Sequence, residues 1–408
     1  MNLIPVDLES IRIGQPLPFH LVDKDGVLLA KKSFVIKSRK DLEDISARGE
    51  LFIDGVDAEA LRRAYLDQLQ TMLRQDRALG EIAETKLSSE AIKGRTPAES
   101  EYLDWLDLQE QVNYLLRDTH TKTFQDRLEQ INATLERQTH RNPDSALFAL
   151  MQLSASETHM YSATHCLLVS VMCALAAREV LNWPAPIEDL LRKAALTMNI
   201  GMTELQDRLA TQTEPLSPQQ KALVDNHARR SVDMLKAMEI TDPTWLGAVL
   251  EHHTQTPGPL RAKTPAQRLA RLIQRADMFA ARLSPRASRK PISPAAAMQS
   301  CYFDEAKQVD EAGAALIKAV GIYQPGTFVR LANDEIAVVI KRGANTNMPR
   351  VAVMINRSGL PTVEPMIRDT SQRGLQVVAS VPHREVKVTI NLIKMLPLTM
   401  QAGSERPW

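Results

Sequence analysis

Residues 162–181 read SATHCLLVSVMCALAAREVL, and between Cys166 and Ala177 only Ser170 is polar. The run holds no Gly or Pro and is longer than an ordinary strand, so it predicts an apolar helix. His165 opens it. Outward in both directions the chain keeps helical spacing: RNPDSALFALM (141–151), IEDLLRKAALTM (187–198), SPQQKALVDNHARRSVDMLKAM (217–238), TWLGAVLEHH (244–253), TPAQRLARLIQRADMFAARL (264–283) and SPAAAMQSC (293–301). Several begin with Ser or Thr followed by Pro, as a capping residue does before a first-turn proline. Residues 142 to about 320 therefore read as one all-α region. Within it AALTMNIGM (194–202) stands out, because Asn199 falls where the pattern expects an inward, apolar side chain before the break at Gly201. A buried Asn has up to four hydrogen bonds to satisfy.

The flanks have other textures. FHLVDKDGVLLA (19–30) is a hairpin signal, SRKDLEDISARG (38–49) a short helix with Ser38 as its cap, and LFIDG (51–55) a returning strand. Together 1–56 predict a small α+β module. From 57 to 141 the chain is polar and helical, with ALRRAYLDQLQTMLRQ (60–75) and FQDRLEQINATLERQTH (124–140) as amphipathic segments and 88–101 as a loop. That region is expected to be a spacer or a dimerisation segment. After Gly321, β-branched runs such as EIAVVIKRG and RVAVMINRSG alternate with Gly and Asn, predicting a small antiparallel β extension over 321–408 with a packing role.

Composition excludes several classes. The formal net charge of the 408 residues is +1, so no global field draws the chain to a nucleic-acid polymer or a membrane surface. Cys166, Cys173 and Cys301 have no metal-type spacing, and the first two read as small hydrophobes inside an apolar run. MNLIPVDLES lacks the basic-then-apolar pattern of a secretory signal, and no uninterrupted apolar run suggests a membrane span. The expectation is a cytoplasmic, soluble protein.

Five of the nine histidines fall between 159 and 253. His165, His227, His252 and His253, followed by Asp277 in RADMF, are helix-borne donors of the kind that build a metal cluster inside a helical bundle. The order and wording of these segments resemble an HD-GYP domain, the branch of the HD phosphohydrolases associated with cyclic di-GMP hydrolysis. SETHMYSATHCLLVSV resembles the family's first metal-binding helix, with His165 at the ligand position. KAALTMNIGM resembles the run ending in HDIGK, LSPQQKALVDNHARRSVDML the helix placing His227, and AVLEHH the paired-histidine helix. RLARLIQRADMFAARLSPRASRKPISPAAAM resembles the segment carrying the last Asp ligand, here Asp277, and a downstream basic motif, here Arg286, Arg289 and Lys290. The resemblance covers about 142 to 400 and implies an HD-type helical bundle.

The departures from the family pattern bear on chemistry. Met198-Asn199 stand where the family has His-Asp, and Met202 where it has Lys. In the family that Asp bridges two ions. A neutral amide is a poor bridge, and a thioether suits soft ions rather than hard or borderline ones. Thr254 replaces the Glu after the paired histidines, the Gly-Tyr-Pro element is absent, and Tyr161 offers no carboxylate one turn before His165. The resemblance thus implies a catalytically inactive member, a nucleotide sensor or a scaffold, with no catalytic residues and no cofactor, or at most one divalent metal (Fe or Mn). Its metal positions are His165, His227, His252, His253 and Asp277. Between Arg261 and Lys290 nine Lys or Arg face one acid, so Arg286, Arg289 and Lys290 are the expected phosphate contacts for cyclic di-GMP. A protein partner or a second copy is expected on the N-terminal helices. The alternative is a phosphodiesterase working with a degenerate, single-metal site.

Overall fold

The computed structural model describes residues 97–119, 123–156, 160–284, 292–388 and 390–401, with parts of 3–54. The segment 60–75, His159, and Arg286, Arg289 and Lys290 lie outside the described residues. The chain divides into two compact units, Met1–Ser100 and Glu101–Trp408.

The first unit carries strands β1 (Leu3–Pro5), β2 (Leu21–Val22), β3 (Leu28–Ala30) and β4 (Phe52–Asp54), in the antiparallel order β1-β4-β2-β3, and helix α1 (Arg39–Ser46). The hairpin and the short helix stand where the sequence puts them. Ser38 starts α1 by a reciprocal pair of bonds, its Oγ accepting from the Asp41 N–H and Asp41 Oδ2 accepting from the Ser38 N–H, both at 3.1 Å. Leu17, Phe19, Leu21, Ile36, Leu42 and Leu51 form its core.

The second unit is mainly helical: α2 (Pro97–Arg117), α3 (Phe124–Arg141), α4 (Pro143–Ser156), α5 (Tyr161–Leu175), α6 (Ala185–Thr197), α7 (Thr203–Thr211), α8 (Pro218–Ala237), α9 (Pro243–Glu251), α10 (Pro265–Leu283), α11 (Pro294–Tyr302) and α12 (Glu311–Val320). Helix α2 starts inside the stretch expected to be a loop. Pro97 is its first residue, a first-turn proline like the one that opens α10. Ser217 and Thr264 close full capping boxes with Gln220 and Gln267, which fixes where α8 and α10 begin.

Helix α5 is the axle. Every one of its residues is buried, and it packs on α4, α6, α7, α10 and α12. By length and composition Tyr161–Val180 would cross a membrane, yet 83% of its apolar stretch is buried inside the protein, as in a core helix. It ends in a π turn over Ala176–Val180, where the Leu181 N–H reaches back to the Ala176 carbonyl at 3.0 Å.

Strands β5 (Phe328–Leu331), β6 (Ile336–Lys341), β7 (Arg350–Ile355), β8 (Pro361–Asp369) and β9 (Val377–Val381) form one antiparallel sheet in the order β8-β7-β6-β5-β9. Alternation sorts its side chains by face. Phe328, Val338, Ile340, Ala352 and Met354 join the core of the helices, while Val329, Leu331, Ala337, Val339, Val351 and Val353 form a cluster of their own. Arg342, at the end of β6, ties the sheet to the bundle through Asp144 at 2.8 Å and Glu179 at 2.8 Å. A final helix, α13 (Leu392–Gln401), packs on α4 and β6.

Candidate metal centre

The predicted donors fall into two sets, His165 with Asp277 and His227 with His252 and His253. His165 stands in the first turn of α5, one turn after Tyr161, whose ring stacks on it at 5.6 Å between centroids. Its Nε2 lies 2.7 Å from Oδ1 of Asp277 on α10, and its Nδ1 is enclosed with no partner among the described residues. Burial by itself would raise the Asp277 carboxyl. The hydrogen bond and charge of His165, with His253 beside it, hold it well below the usual carboxylate range.

The other three histidines form one group. His227 of α8 and His252 and His253, which follow α9, offer ring nitrogens all within 4.8 Å of one another; His227 and His252 are buried and His253 is exposed. The tautomers of the buried pair follow from their neighbours. His227 Nδ1 lies 2.5 Å from the Val224 carbonyl and His252 Nδ1 lies 2.6 Å from the Val249 carbonyl. A carbonyl only accepts, so each neutral ring carries its proton on Nδ1 and leaves Nε2 as a bare acceptor. Those two acceptors face each other at 3.1 Å.

Two neutral acceptors cannot bond each other. A proton or a cation must sit between them, and burial makes the proton costly: it pushes His252 down to about 3, with the charge of His253 acting the same way. Burial lowers His227 as well. Two imidazole ligands at about 2.05 Å on a tetrahedral ion lie roughly 3.3 Å apart, close to the observed gap. Fixing the far nitrogen on a carbonyl is also how proteins orient metal-binding histidines. The donor set fits a divalent ion.

The segment before α7 lines up differently. Met198 is fully buried in the core, and Asn199 is 7% exposed with its Oδ1 enclosed and unbonded among the described residues. Gly201 sits where the turn after α6 meets α8. A Cβ there would lie 2.7 Å from the Ser231 nitrogen and 2.9 Å from the His227 carbonyl oxygen, so only glycine lets this turn press against α8 behind His227. The Gly201 N–H donates to Ser231 Oγ at 2.9 Å, and Trp245 Nε1 donates to Thr197 Oγ1 at 3.0 Å, locking α6 to α8 and α9. Met202 is half-buried and lines a cavity.

The basic count between 261 and 290 needs correction. Arg271 and Arg275 are buried and paired with Glu305 and Asp310, acids that lie beyond that window. Arg268 and Lys263 donate to backbone carbonyls. Four of the nine cations thus serve the fold. Arg208 and Arg230, passed over in the sequence because single cations on surface helices carry no motif, line the cavity beside Met202.

No family model matches the chain. It is 28% identical over 235 residues to a cyclic di-GMP phosphodiesterase of Pseudomonas aeruginosa. That match takes in 56% of this chain and 55% of the relative, so the similarity spans about half the relative's length. Among solved structures, an HDG"Y"P protein of Bdellovibrio bacteriovorus superposes with a TM-score of 0.43 at 14% identity, over 77% of this chain and 98% of the other. The first similarity supports the link with cyclic di-GMP phosphodiesterases that the motifs imply.

Proposed function

We propose that the chain is an HD-GYP-like protein of cyclic di-GMP signalling that holds one divalent metal on His227, His252 and His253 and binds the nucleotide without cutting it. The observation that carries the reading is the pair of Nε2 acceptors facing each other at 3.1 Å in a buried setting. Three imidazoles with the Asp277 carboxylate nearby suit a borderline ion such as iron or zinc. When bound, such an ion supplies positive charge to a phosphate oxygen.

The proposed lack of hydrolysis is argued from the chain's own residues. A second ion needs an anionic bridge, and Asn199 offers only a neutral amide oxygen. Met198 is packed in the core and Met202 adds no cation. His165 and Asp277 hold each other, which leaves that carboxylate with one oxygen already engaged. Such a site would anchor a phosphate, and Met198, Asn199 and Met202 bring it no charge to orient an attacking water.

The test is elemental analysis of protein purified without chelators, paired with product analysis after incubation with cyclic di-GMP. One equivalent of metal, intact nucleotide and measurable binding are expected. Two equivalents with linear or mononucleotide products overturn the reading, and one equivalent with turnover replaces it with the single-metal phosphodiesterase.

A further inference from the structure

A cavity of about 270 Å³ lies at the far end of α5, between the π turn over Ala176–Val180, the end of α12 and the loop from β6 to β7. Arg178, on its wall, follows His165 by thirteen residues of continuous helix, about 20 Å at about 1.5 Å per residue. The cavity is a little smaller than the roughly 300–1,000 Å³ of drug-sized ligand sites, which suits a small metabolite. Its wall carries both signs of charge. Arg342 is the deepest cation, its side chain 7% exposed. Its Nε bonds Asp144 and its Nη1 bonds Glu179 and the Ala319 carbonyl, which leaves Nη2 without a partner among the described residues. Lys318, exposed in the last turn of α12, has no ion pair among the described residues. Glu179 is the acid of the wall. Its Oε2 accepts from Arg342 Nη1 at 2.8 Å, while its Oε1 lies 3.6 Å from Arg178 Nη2, too far for a hydrogen bond. The π turn and α12 both end here, and helix C-termini carry partial negative charge. Val180, Ala319, Tyr323 and Pro349 supply apolar surface.

We propose that this cavity binds a free α-amino acid with an aliphatic side chain, its carboxylate on Lys318 and Arg342 and its ammonium on Glu179. A lysine in the last turn of a helix is common by itself. Here it lines the same cavity as an unspent guanidinium nitrogen and an open carboxylate oxygen. A carboxylate takes charge-assisted bonds from both of those cations. An ammonium is favoured by Glu179 Oε1 and by the two helix ends. A simple anion would meet the acid unpaired, and a simple cation would meet Lys318; a ligand with both charges complements the whole wall. The π turn supports the reading independently, because such turns inside helices recur at functional sites.

Calorimetric titration of the 408-residue chain with L-valine tests it. Isovalerate, which lacks the ammonium, and isobutylamine, which lacks the carboxylate, are the controls. Valine binds, and each control binds roughly tenfold more weakly or worse. Lys318→Ala, at an exposed position that leaves the fold intact, weakens valine by roughly tenfold, and Lys318→Arg restores most of the affinity. Glu179→Gln keeps an acceptor for Arg342 and removes the partner of the ammonium, so it erases the preference for valine over isovalerate. No heat with valine at millimolar concentration, either control binding the wild type as tightly as valine, or an affinity unmoved in Lys318→Ala overturns the proposal.

Discussion

Replacing Asp310 by Asn is expected to destabilise the second unit severely. Its Oδ2 accepts from Arg271 Nε at 2.8 Å and Nη2 at 2.7 Å, and from Arg275 Nη2 at 3.3 Å. Both arginine side chains are at most 2% exposed, so water cannot replace the lost carboxylate. In Asp310→Asn the amide turns an N–H donor toward these cations, leaving Glu305 as their remaining acid, itself 30% exposed. Breaking a buried ion pair by removing one partner costs about 3–5 kcal/mol. The Oδ1 atom also caps α12 by accepting from the Gly313 N–H at 2.8 Å, and Asn keeps that bond while Ala loses it. Asp310→Ala should therefore cost about 1 kcal/mol more. Against a typical stability of about 5–15 kcal/mol these are large fractions. Urea denaturation of the wild type and both variants measures the differences. A cost below about 1 kcal/mol for Asp310→Asn would refute the reasoning, because it would mean the two arginines do not depend on that carboxylate.

Other expectations follow from the same structure. Gly201→Ala places a methyl 2.7 Å from one backbone atom and 2.9 Å from another, so it should lower the melting temperature and the metal content together. For Glu305, the Arg271 hydrogen bond lowers the carboxyl to about 2. A depressed carboxyl adds stability above its ordinary value that is lost as pH falls toward 2; Glu305→Gln should thus be weaker than wild type at pH 7, with the gap closing in acid denaturation. Chelation should lower the melting temperature of the purified protein, by the equivalent of about 2.7 kcal/mol where free metal stood a hundredfold above its dissociation constant. His252→Gln should abolish that difference; an unchanged chelator response in the variant would count against the histidine group.

Much of the fold is legible because helix starts carry local chemistry. Ser217, Thr264 and Ser293 each precede a proline and each caps a helix by its hydroxyl. Strand β6 shows in β-branched residues, and its two buried faces follow from alternation alone. The proximity of His227, His252 and His253 was legible too, from residue types and order. Their states were not. The carbonyls that fix the rings of His227 and His252 come from residues three positions earlier in each case, a backbone relation open to any helical residue. The partners of Arg271 lie 34 and 39 positions away, so a count of charge over a thirty-residue window read structural cations as free ones. The π turn at 176–180 leaves no mark in AAREV.

The bearing of Asn199 on function depends on what its neighbours cost. If the histidine group were only packing, His252 would be an expensive choice. It is fully buried, its protonation is disfavoured, and its one free nitrogen points at another acceptor. A buried polar atom without a donor costs about 1–3 kcal/mol, and here two such atoms share one gap. A hydrophobic side chain of similar size would remove that penalty. Asn199 shows the milder version of the same problem, an enclosed Oδ1 with no donor among the described residues. The two differ in what relieves them: a water can satisfy a lone amide oxygen, whereas a pair of facing imidazole acceptors 3.1 Å apart has no room for one between them. An ion does fit there. The proposed function puts a single cation on the facing nitrogens of His227 and His252.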